Sequence, residues 1–218
     1  MIKVLTADDH PLLREGLKHL LSDCRDITFA GEVDNGFALI EKLRSEEFDV
    51  VLLDLFMPGK SGIELIKQMK AEFPRLPILV LSTHKEDIYA VRVLKAGAAG
   101  YMCKDYAAAG LVDAIRKVAS GGRFISPAVA ELMAREIHSP REEALPHTLL
   151  SDREFQVFLL TASGLGTTEI AEQLNLSVKT VSTHKARIKT KTGLATASDI
   201  VRYTIKHKLS AEGDMYSE

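Results

Sequence analysis

Val50-Val51-Leu52-Leu53-Asp54 is a run of four apolar residues closed by a carboxylate, and its reading decides the fold. A segment apolar at every position, not at every second one, is what a strand covered on both faces requires. Residues 78–81 share that character, and 2–6, 27–33 and 100–102 complete a set of five short strands. The stretches between them carry apolar residues three or four apart, as in Leu13/Leu17/Leu20/Leu21, Ile63/Ile66/Met69 and Leu111/Ile115/Val118. That spacing predicts amphipathic helices. Five strands alternating with five helices predict an α/β domain with a doubly wound, five-stranded parallel sheet over residues 1–122.

Beyond Gly121-Gly122 the pattern changes. Residues 126–138 predict one helix, with Ser126 as N-cap and Pro127 in the first turn. Residues 139–148 contain Pro140 and Pro146 and no period, so 123–147 as a whole is expected to be a linker around that helix. From 148 to 210 no strand pattern occurs. Ser151-Asp152-Arg153-Glu154 has the form of a capping box, and helices are expected to about 163, over 167–174, 177–192 and 197–208. A small all-α four-helix domain therefore follows the sheet, and the polar tail at 211–218 is expected to fray.

Composition narrows the function classes. The chain has 218 residues, 46% hydrophobic and 27% charged, which excludes a disordered, fibrous or collagenous protein. Its longest apolar stretch, 50–57, is interrupted by Asp54 and is far short of the ~20 residues of a bilayer span. With no signal-peptide pattern at Met1 and only Cys24 and Cys103, a reducing cytoplasm is the expected setting. The formal net charge of −2 hides an asymmetry: residues 177–208 carry eight basic side chains against Asp199 alone, a local +7.

In an open α/β sheet, chemistry gathers outside the carboxyl ends of the strands. Asp8 and Asp9 fall after the first strand, Asp54 after the third, Ser82 after the fourth and Lys104 after the fifth. Converging carboxylates repel unless a hard cation relieves them, and Mg²⁺ suits an open oxygen site with room for phosphate. Asp54 can then act as a nucleophile toward a phosphoryl group, with Ser82 and Lys104 bonding its oxygens. Singly, each of these residues reads as a cap, a turn hydroxyl or a solvated charge; together, on four strand ends, they read as a site. His10 and His84 are expected to be surface or capping residues, Cys103 a buried small hydrophobe, and Gly59 and Gly62 loop geometry.

Asp8-Asp9-His10-Pro11, Asp54-Leu55-Phe56-Met57-Pro58-Gly59, Leu81-Ser82 and Lys95-Ala96-Gly97-Ala98-Ala99-Gly100-Tyr101 through Lys104 resemble the receiver domain of two-component response regulators. The resemblance spans essentially all of residues 2–120 and implies a flavodoxin-like fold. It implies that Asp54 is the phosphoacceptor, that Asp8 and Asp9 hold the metal with Asp54, and that Phe56 ligates it through its main-chain oxygen. Ser82 and Tyr101 become a switch pair, and a sensor histidine kinase the partner.

In the second domain, 167–174, a turn at Asn175-Leu176-Ser177 and the basic helix after it form a helix-turn-helix. Ile170, Ala171, Leu174, Val181 and Ile188 are expected to face the core. The other face offers Lys179, Thr180, Ser182, Thr183, Lys185, Ala186, Arg187, Lys189 and Lys191 to double-stranded DNA, small residues for base edges and cations mostly for phosphates. His184 is expected to pack or touch backbone. Leu150 to Glu154, Gly164-Leu165 with Glu169-Ile170-Ala171, Leu176 to His184, and Lys191-Thr192-Gly193-Leu194 resemble the LuxR-type DNA-binding domain. With the receiver, the whole chain resembles a NarL/FixJ-type response regulator. That resemblance implies a non-enzymatic transcriptional regulator, released and dimerised by phosphorylation at promoters, with RNA polymerase as a further partner.

Three other readings fit less well. An aspartyl-nucleophile phosphatase wants a second acid where Phe56 stands. A flavodoxin-type flavin module wants a hydroxyl- and glycine-rich loop where Asp8-Asp9-His10-Pro11 stands. DNA binding without phosphorylation leaves the full pocket unexplained.

Overall fold

The computed structural model describes residues 1–57, 62–82, 86–104, 107–138, 145–207 and 209. Pro58, Gly59, His84, Lys208, the middle of the linker and the tail from Ser210 lie outside the described residues.

Strands β1 (Ile2–Ala7), β2 (Ile27–Val33), β3 (Val50–Asp54), β4 (Ile78–Ser82) and β5 (Gly100–Cys103) form one sheet in the order β2-β1-β3-β4-β5. All four pairings are parallel. The connecting helices are α1 (Pro11–Ser22), α2 (Gly36–Ser45), α3 (Gly62–Glu72), α4 (Glu86–Lys95) and α5 (Ala107–Ala119). The expected doubly wound sheet is what forms. Four of the strands run one residue further than the apolar pattern predicts, because the next residue still pairs: Asp54 lies opposite Leu81, and Ser82 opposite Cys103.

The pleat sorts the strand residues between two layers. Val4, Leu52, Leu79, Leu81 and Met102 pack with Leu17 and Leu21 of α1 and with Leu111, Ala114, Ile115 and Val118 of α5. The alternating residues Leu5, Val51, Leu53, Val80 and Tyr101 are equally buried and belong to the opposite face. Two covered faces are why the periodicity of two is missing from β3 and β4. Asn35 caps α2 by accepting from the amides of Phe37 and Ala38.

A second unit begins within α6 (Pro127–His138). It contains a 3-10 turn at Pro146–Leu149 and helices α7 (Asp152–Ala162), α8 (Thr167–Gln173), α9 (Val178–Thr192) and α10 (Ala197–Lys206). Ser151 and Glu154 form the expected capping box, and Thr196 with Asp199 forms another. α9 ends on Gly193 in the left-handed conformation, φ 73°, which a side chain would resist. The 3-10 turn stands where the sequence shows no period. Its organiser is His147, whose Nδ1 lies 2.8 Å from the Tyr203 hydroxyl of α10 and whose ring packs near Phe155. No described helix is long and apolar enough to cross a membrane.

Leu52 is fully buried in β3 and Leu12 is 88% exposed on α1. Leu52→Ala should therefore cost about 2–5 kcal/mol of unfolding free energy. Leu12→Ala should stay within about 0.5 kcal/mol, both read by urea denaturation.

Candidate functional site

The carboxyl ends of β1 and β3 bring Asp8 and Asp54 together, both almost wholly buried, with Asp9 half-buried beside them. Two buried carboxylates side by side need a counter-charge. Lys104, one residue past β5, supplies it: its Nζ lies 2.7 Å from Asp8 Oδ2 and 2.8 Å from Asp54 Oδ2. Burial pushes the Asp54 carboxyl above the usual carboxylate value, against the pull of the Lys104 ammonium. Burial would lower Lys104, but the Asp54 and Asp8 carboxylates outweigh it and hold the amine above its ordinary value. Lys104 therefore stays a cation.

The other expected residues fall around this pair. Phe56 donates its amide to Asp54 Oδ1 at 3.2 Å, which fixes the turn after β3. Its ring meets Tyr89 of α4 edge-on, centroids 5.3 Å apart. Ser82 is fully buried at the end of β4, next to β3, and Tyr101 is buried one strand further along.

Asp8, Asp9, His10 and Asp54 each place one donor atom within 4.8 Å of the others, a spacing at which a metal ion can be held. The donor chemistry fits a hard cation, since three of the four are carboxylates. Asp9 Oδ1 adds a second sign: it is buried without a well-formed hydrogen bond, although His10 Nδ1 lies 2.9 Å away.

Arg14 and Tyr89 were not legible as site residues, and His10, which flanks the site in the sequence, was not legible as part of the acid cluster. His10 occupies the N-cap position of α1, but its ring does not cap the helix. Exposed as expected, it turns toward Asp8 Oδ1 at 3.1 Å instead, drawn by the carboxylates. Arg14 donates to the main-chain oxygen of Asp8 at 2.6 Å and so braces the Asp8-Asp9 turn. Tyr89, whose hydroxyl burial pushes well above its usual value, backs Phe56. Arg14 sits four residues beyond His10, on the helical spacing that returns it to the same end, and that was the available signal. Nothing in the sequence pairs Tyr89 with Phe56.

In the second unit, Ile170, Ala171, Leu174, Val181 and Ile188 are buried as expected. Lys179, Ser182, Thr183, Ala186, Arg187, Lys189 and Lys191 are exposed along α9, with Thr180 and Lys185 half-buried. The hydroxyls of Ser182 and Thr183 donate back to the carbonyls of Val178 and Lys179, and Thr180 joins the Ser177 cap at 2.8 Å. Lys185 reaches Thr167 at 3.1 Å, tying α9 to α8. Lys191 Nζ lies 2.7 Å from Oε2 of Glu154, a carboxylate only 3% exposed. Its charge is already partnered at the end of α9 remote from the helix-turn-helix turn. Desolvation lowers the pKa of His184, which is half-buried with Nδ1 unpartnered.

Comparison with known proteins matches both halves. Residues 4–116 fit the response regulator receiver domain, and residues 148–204 fit the luxR family of bacterial regulatory proteins. The response regulator UvrY of Escherichia coli K12 is 37% identical over 209 residues, 96% of each chain. GacA of Pseudomonas syringae is 37% identical over 207 residues, 95% of this chain and 97% of its own. Among solved structures, RcsB of Salmonella enterica serovar Typhimurium bound to promoter rprA with the phosphomimetic BeF3− is similar. It has a TM-score of 0.67 at 29% identity and covers 93% of this chain and 97% of that one. Another RcsB structure from Salmonella typhimurium gives 0.73 at 30%, covering 96% and 98%.

The Glu154–Lys191 pair yields a stability prediction. Burial pushes the Glu154 carboxyl up, but Lys191 and the Ser151 amide pull it net below its usual value. A carboxyl lowered by folding stabilises above its unfolded value and loses that contribution as pH falls through the folded one. Lys191→Ala should cost about 1–3 kcal/mol, less than a fully buried pair because Lys191 is partly exposed. Glu154→Gln should flatten the acid limb of a stability–pH curve measured by thermal unfolding.

Proposed function

This chain belongs to the NarL/FixJ-type response regulators, a receiver domain ahead of a LuxR-type DNA-binding domain, and from that premise we propose that Asp54 is its phosphoacceptor. The observation that carries this is the buried triad in which Lys104 bridges Asp54 and Asp8 at 2.8 and 2.7 Å. An Asp54 oxygen attacks the phosphorus of a phosphohistidine on a sensor histidine kinase. The nitrogen–phosphorus bond breaks, the imidazole leaves, and an acyl phosphate remains on Asp54. Asp8, Asp9, Asp54 and the Phe56 main-chain oxygen are the residues that hold Mg²⁺ in this reading. Mg²⁺ supplies charge neutralisation for the incoming phosphoryl oxygens.

Lys104 exchanges its carboxylate contact on Asp54 for a phosphoryl oxygen, and the Ser82 hydroxyl bonds another. Tyr101, on the adjoining strand, repacks with Ser82. The modification adds about −1.5 to −2 charges at a point where the chain already holds a cation. Moving a two-state equilibrium from 1:99 to 99:1 takes about 5.5 kcal/mol of differential binding, and two charge-assisted bonds supply much of that.

The output is release of the second domain, dimerisation and binding of double-stranded promoter DNA in the cytoplasm. In this reading the receiver occupies 1–122, the linker 123–147 and the DNA-binding domain 148–210. Lys179, Arg187 and Lys189 grip phosphates, Thr180 and Lys185 brace the helix at the groove, and Ser182, Thr183 and Ala186 meet base edges. RNA polymerase is the natural downstream contact. The chain turns over no separate substrate, and loss of the acyl phosphate to water serves as a timer.

Two measurements test this. Selection of genomic DNA fragments at fixed salt, with and without a small-molecule phosphodonor and Mg²⁺, should enrich a discrete set of promoters mainly in the treated sample. Asp54→Ala should abolish the difference, and equal enrichment by the wild type in both samples defeats the switch. Lys179→Ala should weaken binding across sequences and reduce the slope of log K against log salt by about 1.

A further inference from the structure

β5 is the last strand of the sheet, so among the described residues its outer edge has no neighbouring strand. Such an edge presents unpaired amides and carbonyls to whatever can reach them. In this chain the occupant is the segment immediately after α5. Phe124 donates its amide to Ala99 O at 2.9 Å and forms an isolated parallel bridge with Gly100, the first residue of β5. Its side chain packs against the core cluster that holds Leu79, Met102 and α5.

The approach is close enough to dictate the residue opposite. A Cβ placed on Gly100 would lie 2.7 Å from the Phe124 carbonyl oxygen and 2.9 Å from both Phe124 Cβ and Leu79 Cδ1. The leucine can turn aside, but the main-chain oxygen moves only if the linker moves. Just beyond, Ser126 Oγ accepts from the Val129 amide at 3.3 Å, and Val129 is 1% exposed. The first turn of α6 is thereby anchored, and α6 runs on unbroken into the second unit.

The two ends of β5 carry different things. Its carboxyl end leads to Lys104, in contact with Asp54 and Asp8. Its amino end holds the linker at Gly100, with Tyr101 as the next residue. β5 spans only four residues, Gly100–Cys103, a length of about 13 Å at ~3.3 Å per residue. Lys104 and the linker bridge thus sit at opposite ends of one short strand.

We infer that the Gly100–Phe124 bridge is the contact through which the state of the Asp54 pocket is communicated to the linker. Lys104 and Tyr101 shift β5, β5 carries the bridge, and the bridge sets the start of α6. The inference rests on the proposed phosphorylation of Asp54, and the experiment keeps the two separable.

Full-length wild type, Gly100→Ala and Phe124→Ala are each treated with a small-molecule phosphodonor and Mg²⁺, or left untreated. Phosphate incorporation and affinity for one selected promoter fragment are then measured. The variants should incorporate phosphate to within twofold of wild type. The ratio of treated to untreated affinity should fall at least threefold toward one. A wild type that incorporates no phosphate defeats the phosphorylation reading; a phosphorylated wild type with no ratio to lose, or folded and phosphorylated variants whose ratio falls less than threefold, defeat the bridge. Hydrogen exchange of the Phe124 amide in the wild type decides the matter should both variants unfold. Its protection should change at least fivefold on phosphodonor treatment, and an unchanged rate in phosphorylated protein overturns the inference.

Discussion

The Lys104 ammonium between Asp54 and Asp8 is the interaction on which the receiver half depends. Two carboxylates at the ends of adjacent strands, both nearly inaccessible to water, would be prohibitively repulsive alone. With Nζ at 2.8 and 2.7 Å they become a charge-compensated triad. The compensation ties together β1, β3 and the residue after β5, three places far apart in sequence. It also leaves the triad with one cation for two anions, plus the half-buried Asp9, whose buried Oδ1 faces the His10 ring at 2.9 Å. The pocket thus has spare negative charge, which suits a divalent cation, and a lysine ammonium, which suits an incoming anion. A site built this way holds its carboxylates close together while keeping a cation between them.

The sheet makes that balance mechanically useful. A parallel sheet covered on both faces places every strand end at one edge of the domain. Asp8, Asp54 and Lys104, each at the end of a different strand, meet there. The same burial that raises the Asp54 carboxyl keeps water from screening the triad. In the second unit charge is distributed in the opposite way. α9 lays its cations along an exposed face, while Lys191 at its end is drawn off to the buried Glu154. Lys191 and Lys185 thus help to hold α9 in place, and Lys179, Arg187 and Lys189 lie exposed along it.

Much of this was legible in the residues. Val50 to Asp54 announced a doubly covered strand by lacking alternation, and the Ser151–Glu154 capping box marked the start of α7. Strand ends proved one residue longer than the apolar runs because hydrogen bonding does not stop where hydrophobicity does, as Asp54 and Ser82 show. His10 was legible as exposed but not as part of the acid cluster. Its position before Pro11 resembles a cap, and only the three-dimensional convergence of Asp8 and Asp9 turns its ring away from that task. The His147 contact with Tyr203, 56 residues apart, is likewise invisible to any local pattern. So is the partnering of Lys191, which periodicity places on a basic face and geometry places on Glu154.

Gly100 shows where the two levels meet. In the sequence it is one glycine in Gly97-Ala98-Ala99-Gly100, a run of small residues with no stated purpose. In the structure it is the position at which the linker backbone comes within 2.7 Å of a missing Cβ. An exposed edge strand is usually a liability that must be blunted. Here the cover is the chain's own link to its second domain, so the device that protects the edge also attaches the output. Loss of the bridge would loosen the segment that leads into α6 without touching Asp54, Ser82 or Lys104. A phosphorylation site and its effector domain can be joined by a flexible tether, in which case only proximity is transmitted. They can also be joined through a strand end, in which case a shift of the strand is transmitted. The glycine at 100, with no room for even a methyl group, belongs to the second kind of joint.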